Sequence, residues 1–260
     1  MASTGGSENP DILGAAFPDG LTQDAFLGGR LLLAQPRRGF RAGQDAMLLA
    51  AAVPAAAGES ALDLGCGGGA AILALGARVP GLRLAGLEVQ PAYAALARAN
   101  AARNRLLLDI VEGDVEAPPP GLSLLTFDHV LMNPPFHSRA TSTPAADPGR
   151  DLAHGGPAPL AAWLGLAARR LRRRGSLTAI QRASRLPELL AGLPATMGSV
   201  EVMALAPRPG REPATILLRA RKGGRAPFRL LPPLAVHEEG GGTSFATHAA
   251  LRDGAALPWG

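Results

Sequence analysis

The chain is poor in cysteine, in lysine and in long apolar runs, and each shortage closes off a class of protein. Cys66 is the single cysteine among 260 residues. An internal disulfide and a cysteine-based metal cluster are therefore excluded, and no metal site is expected. A reducing, cytoplasmic setting fits that usage. No apolar run approaches the roughly 18 residues that a membrane-spanning helix needs. Residues Met1 to Pro18 lack a basic start followed by an apolar core, so no secretory leader is expected. That segment reads as a disordered tail, extending to about residue 20. Internal repeats are also missing. Lysine occurs once, at Lys222, so a net charge of +5 is carried almost entirely by arginine.

What is present is more specific. The arginines gather in three groups: Arg37, Arg38 and Arg41; Arg169, Arg170 and Arg172 to Arg174; and Arg219, Arg221, Arg225 and Arg229 with Lys222. The planar guanidinium fork suits phosphate and base contacts, which makes a nucleic acid a candidate partner. A general bias towards Ala, Arg, Gly and Pro would produce the same count. With 47% hydrophobic residues, the chain can bury one substantial core.

From Ser60 onward, short apolar strands alternate with helices. The spacing predicts strands at 61–64, 82–87, 106–111, 127–132 and 176–181, and late strands at 200–206 and 215–221. It predicts helices at 44–53, 70–78, 91–103, 158–173 and 186–193. Such alternation means a mostly parallel sheet covered on both faces. The fold class expected is α/β: a seven-stranded sheet with an antiparallel edge strand. The expected organisation is an N-terminal extension at 21–58, a main domain at 59–222, and a C-terminal extension at 223–260 packed on the same domain. The stretch 137–157 lacks periodicity and is expected to be a functional loop.

Two motifs carry the chemistry. Asp63-Leu64-Gly65-Cys66-Gly67-Gly68-Gly69 sits at a strand-to-helix turn, where glycine permits close backbone approach to a ligand. The looser dinucleotide pattern is also satisfied, so a nicotinamide cofactor must be weighed. Asp63 argues against it: a carboxylate at the strand end repels a pyrophosphate and suits a cation. Glu88 ends the next strand, where an acid accepts from ribose hydroxyls. Asp114, after the third strand, is placed to accept from an adenine amino group, although Gly-Asp is also plain turn chemistry. The second motif is Asn133-Pro134-Pro135-Phe136, after the apolar run Val130 to Met132. A nitrogen conjugated to a flat ring is a poor nucleophile and must pyramidalise to attack a methyl group. The Asn133 side-chain oxygen and the Pro134 carbonyl are two acceptors suited to its two N–H bonds. Pro134 and Pro135 stiffen the turn, and Phe136 offers a stacking face.

Together these motifs resemble class I S-adenosylmethionine-dependent methyltransferases of the amino-methylating kind. The flanks Gly28-Gly-Arg-Leu31, Gln35 to Asp45, Leu48 to Ala51 and Lys222 to Leu234 resemble the bacterial tRNA1(Val) adenine N6-methyltransferases. The resemblance implies a Rossmann-like fold and S-adenosyl-L-methionine as cofactor. It implies that Asp63, Gly65 and Gly67 hold the methionine part, Glu88 the ribose and Asp114 the adenine ring. Asn133 to Phe136 would hold the target amino group, and RNA, most of all tRNA, would be the partner. Asn-Pro-Pro-Phe-His also resembles ribosomal RNA guanine N2-methyltransferases, which usually carry a duplicated N-terminal domain. Release-factor glutamine methyltransferases use Asn-Pro-Pro-Tyr instead. A catalytically silent RNA-binding module would keep the fold and lose the cofactor.

Overall fold

The computed structural model of the protein describes residues 10–135 and 158–259. The stretch 137–157, Phe136 and His137 lie outside the described residues. In chain order the main elements are α1 (Pro10–Ala16), β1 (Leu21–Phe26), β2 (Leu31–Pro36), α2 (Gln44–Ala52), β3 (Ser60–Leu64), α3 (Ala70–Arg78), β4 (Arg83–Glu88) and α4 (Pro91–Arg103). There follow β5 (Leu108–Glu112), α5 (Pro120–Ser123), β6 (Phe127–Met132), α6 (Leu160–Arg170), β7 (Leu171–Arg182), α7 (Leu186–Gly192), β8 (Met197–Ala206), β9 (Thr215–Lys222), β10 (Arg229–Ala235) and α8 (Phe245–His248).

Eight strands form one sheet in the order β10-β8-β9-β7-β6-β3-β4-β5. All five residues of β3 are buried, as expected of a strand covered on both faces. One face packs Met47, Leu48 and Leu49 of α2 with Ile72, Leu73 and Leu75 of α3. The other packs Trp163, Leu164 and Leu166 of α6 with Leu189 of α7. The α/β class and its mostly parallel sheet are as expected, with two refinements. The sheet has eight strands, not seven, because β10 pairs with β8 in parallel. The antiparallel strand among the described residues is β9, which is interior, between β7 and β8. The sequence pattern hides β10 because Pro232 and Pro233 interrupt it. At an edge, prolines are tolerated and blunt pairing with other chains.

Two further expectations are corrected. The tail expected to be disordered to residue 20 contains α1. Leu13 and Phe17 pack on a small cluster of Ala34, Tyr93 and Leu96, and the Phe17 and Tyr93 rings meet edge to face at 5.5 Å. The helix expected to run to Arg173 stops at Arg170. Leu171 is 1% exposed and starts β7 opposite Phe127. The basic run is thus divided: Arg170 donates to the Leu122 carbonyl at 2.7 Å, while Arg172 pairs with Asp128 at 2.9 Å.

The β1–β2 hairpin is a separate two-stranded ribbon. Its outer edge is held by two asparagines four residues apart, Asn100 on α4 and Asn104 at its C-cap. The Asn100 amide accepts from the Ala34 N–H at 2.7 Å and donates to the Ala34 carbonyl at 3.0 Å. Asn104 does the same for Leu32, at 2.9 and 2.8 Å. Four residues of helix rise about 6 Å and two residues of strand about 6.6 Å, so the spacings match. At the amino ends of the central strands, His129 hydrogen-bonds Ser176 and Glu59, both at 2.8 Å. Ser176 is 5% and His129 6% exposed, so this chain of polar groups is a brace that runs from the sheet interior out to the partly exposed Glu59.

Candidate active site

The carboxyl ends of β3, β4 and β6 converge on a crevice roofed by the turn that follows β2. Positive φ values at Gly65 (65°), Gly67 (54°) and Gly69 (86°) let the chain reverse from β3 into α3. Gly65 has a second reason to be glycine: an added Cβ would lie 2.5 Å from the Trp163 ring. The loop is tied from three sides. The Cys66 N–H donates to the Leu87 carbonyl at 3.0 Å. Glu88 accepts from the Gly67 N–H at 2.8 Å. Asn100 donates to the Gly68 carbonyl at 2.9 Å.

Two adjoining chambers line this crevice. The smaller, about 100 Å³, is bordered by Glu88, Val89, Gly113, Asp114, Pro135 and Trp163, among others. The larger, about 370 Å³, is bordered by Asp63, Gly68, Ala70, Gln44 and Asp45, among others. Phe40, Gly65, Tyr93 and Asn133 belong to both walls. Asn133 therefore stands where the chambers meet. The structure thus brings Asp63, Gly65, Gly67, Glu88, Asp114 and Asn133 around one crevice, with Pro134 in the same turn; Phe136 falls outside the described residues.

The electrostatics favour a cationic guest. Asp63 is 3% exposed and Glu88 5% exposed. Neither is ion-paired among the described residues. Burial pushes the Asp63 carboxyl well up, and the nearby Glu88 charge pushes it further; the Ile72 N–H works the other way. Burial also raises Glu88, against backbone N–H groups of Gln90, Gly67 and Val89. Two buried carboxyls that repel each other fit a ligand bearing positive charge. S-adenosylmethionine, with an ammonium and a sulfonium, has the charge this donor set lacks. Asp114 holds its own turn, accepting from the Glu116 N–H at 2.9 Å, and still faces the smaller chamber.

Several site residues were not legible beforehand. Phe40 packs over Gly67, where an added Cβ would be 3.6 Å from its ring. Its N–H donates to the Tyr93 hydroxyl at 3.0 Å. Trp163 walls the smaller chamber from α6. Buried Gln181 donates to the Pro134 carbonyl at 3.2 Å, and Arg185 to that of Pro135 at 2.7 Å. Lone aromatics and amides carry no spacing signature, so only the fold brings them in. The arginine groups divide. Arg173, Arg174 and Arg221 sit towards the amino ends of the sheet, away from the crevice, as the pairing of β7 and β9 requires, and Arg229 pairs with Glu201 at 2.7 Å. Arg41 is bound to Asp24 at 2.7 Å. Arg37 and Arg38 are exposed beside the roof.

Comparison with known proteins agrees with this geometry. Residues 42–156 match the methyltransferase small domain family. A tRNA1(Val) (adenine(37)-N6)-methyltransferase of Porphyromonas gingivalis is 31% identical over 226 residues, covering 79% of this chain and 85% of the relative. The enzyme of that name from a second strain is 32% identical over 205 residues, covering 72% and 78%. Among solved structures, a predicted O-methyltransferase, protein Atu636 from Agrobacterium tumefaciens, superposes with TM-score 0.68 at 28% identity, over 82% of this chain and 98% of that one. The T. thermophilus 16S rRNA N2 G1207 methyltransferase, solved with AdoMet and guanosine, shares the fold with TM-score 0.53 at 20% identity, over 78% and 50%. A buried acidic crevice around a glycine turn, together with relatives that match across most of their length, leads to one assignment: the chain belongs to the family of class I S-adenosylmethionine-dependent N-methyltransferases that includes the tRNA1(Val) (adenine(37)-N6)-methyltransferases.

Proposed function

We propose that this methyltransferase acts on the exocyclic N6 of adenine in tRNA. The observation that carries the reading is Asn133 at the meeting of the two chambers, directly before two prolines. In this reading Asp63, Gly65 and Gly67 hold the methionine portion of the cofactor, Glu88 its ribose and Asp114 its adenine. When bound, the cofactor supplies an electrophilic methyl group. The chain's own work is to present the acceptor. The Asn133 amide oxygen and the Pro134 carbonyl each accept one N–H of the target amino group and orient its lone pair along the line of attack. Such acceptors gain strength as the nitrogen becomes cationic, so they favour the transition state over the ground state. The methyl–sulfur bond would break as the C–N bond forms, leaving the cofactor as a neutral thioether, and the N–H, made acidic by that step, would lose its proton to water, so a general base is not needed.

A pair of acceptors suits an amine, which has two hydrogens to donate, better than a hydroxyl, which has one. That favours nitrogen here, whereas the Agrobacterium neighbour is a predicted O-methyltransferase. Adenine in tRNA is favoured over guanine in ribosomal RNA by the Porphyromonas relatives. The test is incubation of unmodified tRNA and of ribosomal RNA with the protein and methyl-labelled cofactor, followed by nucleoside analysis. N6-methyladenosine from tRNA is the expected product. N2-methylguanosine from ribosomal RNA, or no label in tRNA, overturns the substrate.

A further inference from the structure

The segment Pro134-Pro135 has a peculiarity set by its sequence. Neither residue has a backbone N–H. The segment cannot anchor itself by donating, so its backbone handles are its two carbonyls. Both are held, and both by side chains of the segment that ends β7. The Gln181 amide nitrogen donates to the Pro134 carbonyl at 3.2 Å. The Arg185 guanidinium donates to the Pro135 carbonyl at 2.7 Å.

Each holder is itself fixed. Gln181 is fully buried near the end of β7. Its amide oxygen accepts from the Arg182 N–H at 2.9 Å, which leaves the nitrogen end turned towards Pro134. Arg185 is clamped by Glu188, which accepts at 2.8 and 2.7 Å. Covering a buried carbonyl would be reason enough for one hydrogen bond. Two successive carbonyls of one donor-free turn, each met by a restrained donor, is more than that.

We infer that Gln181 and Arg185 are positioning residues for methyl transfer. They aim the Pro134 carbonyl at the acceptor amino group. The inference rests on the role proposed above for that carbonyl. A carbonyl oxygen has two lone pairs; Gln181 engages one and leaves the other for the substrate N–H. Donation from Gln181 also draws electron density from the oxygen, so its benefit is one of aim and not of acceptor strength. The penalty for losing it falls on the chemical step and spares cofactor binding, because neither residue borders the chamber that holds Asp63 and Gly68.

Gln181→Leu keeps the volume and removes the donor. Its kcat should fall about 10- to 100-fold, the range expected for a misplaced catalytic group, with the KM for cofactor unchanged within about twofold. Gln181→Glu supplies the sharper readout. Its carboxylate can keep the Arg182 N–H but sets a second oxygen against the Pro134 carbonyl. Protonation turns that oxygen into a donor, so kcat of this variant should rise as pH is lowered, where the wild type shows no such limb. Arg185→Met, on the half-buried rim, tests the second holder and guards against a misfolded Gln181 variant; it should lower kcat about fivefold or more at unchanged thermal stability. Wild-type rates on both tRNA and ribosomal RNA set the reference. A wrong guess of acceptor shows there, and the variant ratios stay readable on whichever RNA is methylated. Wild-type kcat in Gln181→Leu and Arg185→Met, a flat pH profile in Gln181→Glu, or losses of kcat and cofactor affinity in step, would each overturn the inference.

Discussion

Replacing Asn100 with alanine removes three hydrogen bonds at once. The groups abandoned are the Ala34 N–H, the Ala34 carbonyl and the Gly68 carbonyl. Ala34 faces Gln23 of β1 on its other side, but its polar backbone groups point to α4 instead. Asn100 is 1% exposed and Ala34 6%, so water does not readily take over. Each unsatisfied buried group costs about 1–3 kcal/mol. The sum is about 3–9 kcal/mol, a large part of the roughly 5–15 kcal/mol that holds a domain folded. Asn104→Ala is the internal control. It breaks the same kind of pair, but its partner Leu32 is 40% exposed and water can replace it. Its cost should stay near or below about 1 kcal/mol. Asn100→Asp should be worse than alanine above the carboxylate range, because a second oxygen then faces two carbonyls. Urea melts of the three variants, compared at constant m, give the differences. If Asn100→Ala and Asn104→Ala agreed within about 0.5 kcal/mol, the account of the extension's docking would be wrong.

Other outcomes follow from the crevice. Asn133→Ala should lower turnover about 10²-fold or more at nearly constant cofactor affinity by calorimetry; parallel losses would refute its role. Because the Asp63 and Glu88 carboxyls are held above their ordinary range, folding without ligand takes up protons. Ligand-free stability should therefore decline as pH rises from the ordinary carboxylate range through the raised values. Cofactor affinity should strengthen over that same window as the pair ionises. Asp63→Asn should raise the ligand-free melting temperature at neutral pH and weaken cofactor binding about 10-fold or more, the usual worth of a charged hydrogen bond; unchanged binding would sink the assignment. Replacing Arg37 and Arg38 together should weaken RNA binding and reduce its salt dependence by about one counterion per lost phosphate contact. The same change at Arg173 and Arg174 should do little, and equal effects would refute the crevice-side face.

The sheet and the glycine turn were legible because both depend on local pattern. A fully buried strand is a short apolar run, and a reversal into a helix needs residues that accept positive φ. Asp63, Glu88 and Asn133 were legible for a related reason: each ends a strand, and strand ends in a parallel sheet share one rim. What stayed hidden depends on pairing across distance. Gln181 and Arg185 matter through carbonyls 47 and 50 residues away. β10 was masked by its own prolines. The basic stretch after Arg170 looks like a helix end until Leu171 is seen to belong to the core. Charge clusters mislead in the same way, because a sequence gives their number and not the end of the sheet on which they fall.

The half-buried Arg219 carries a consequence for how the chain is put together. Its guanidinium donates to the Ala52 carbonyl across 167 residues, and it lies 3.8 Å from the centroid of the Trp259 ring. Burial pulls its pKa down to about 10, so it is still a cation under ordinary conditions. The Leu257 N–H then closes on the Ala51 carbonyl at 2.9 Å. The seam joins the end of α2, made early in synthesis, to residues made long afterwards. The segment 257–259 is thus a clasp, and removing it should loosen α2 as well as the strand that carries Arg219.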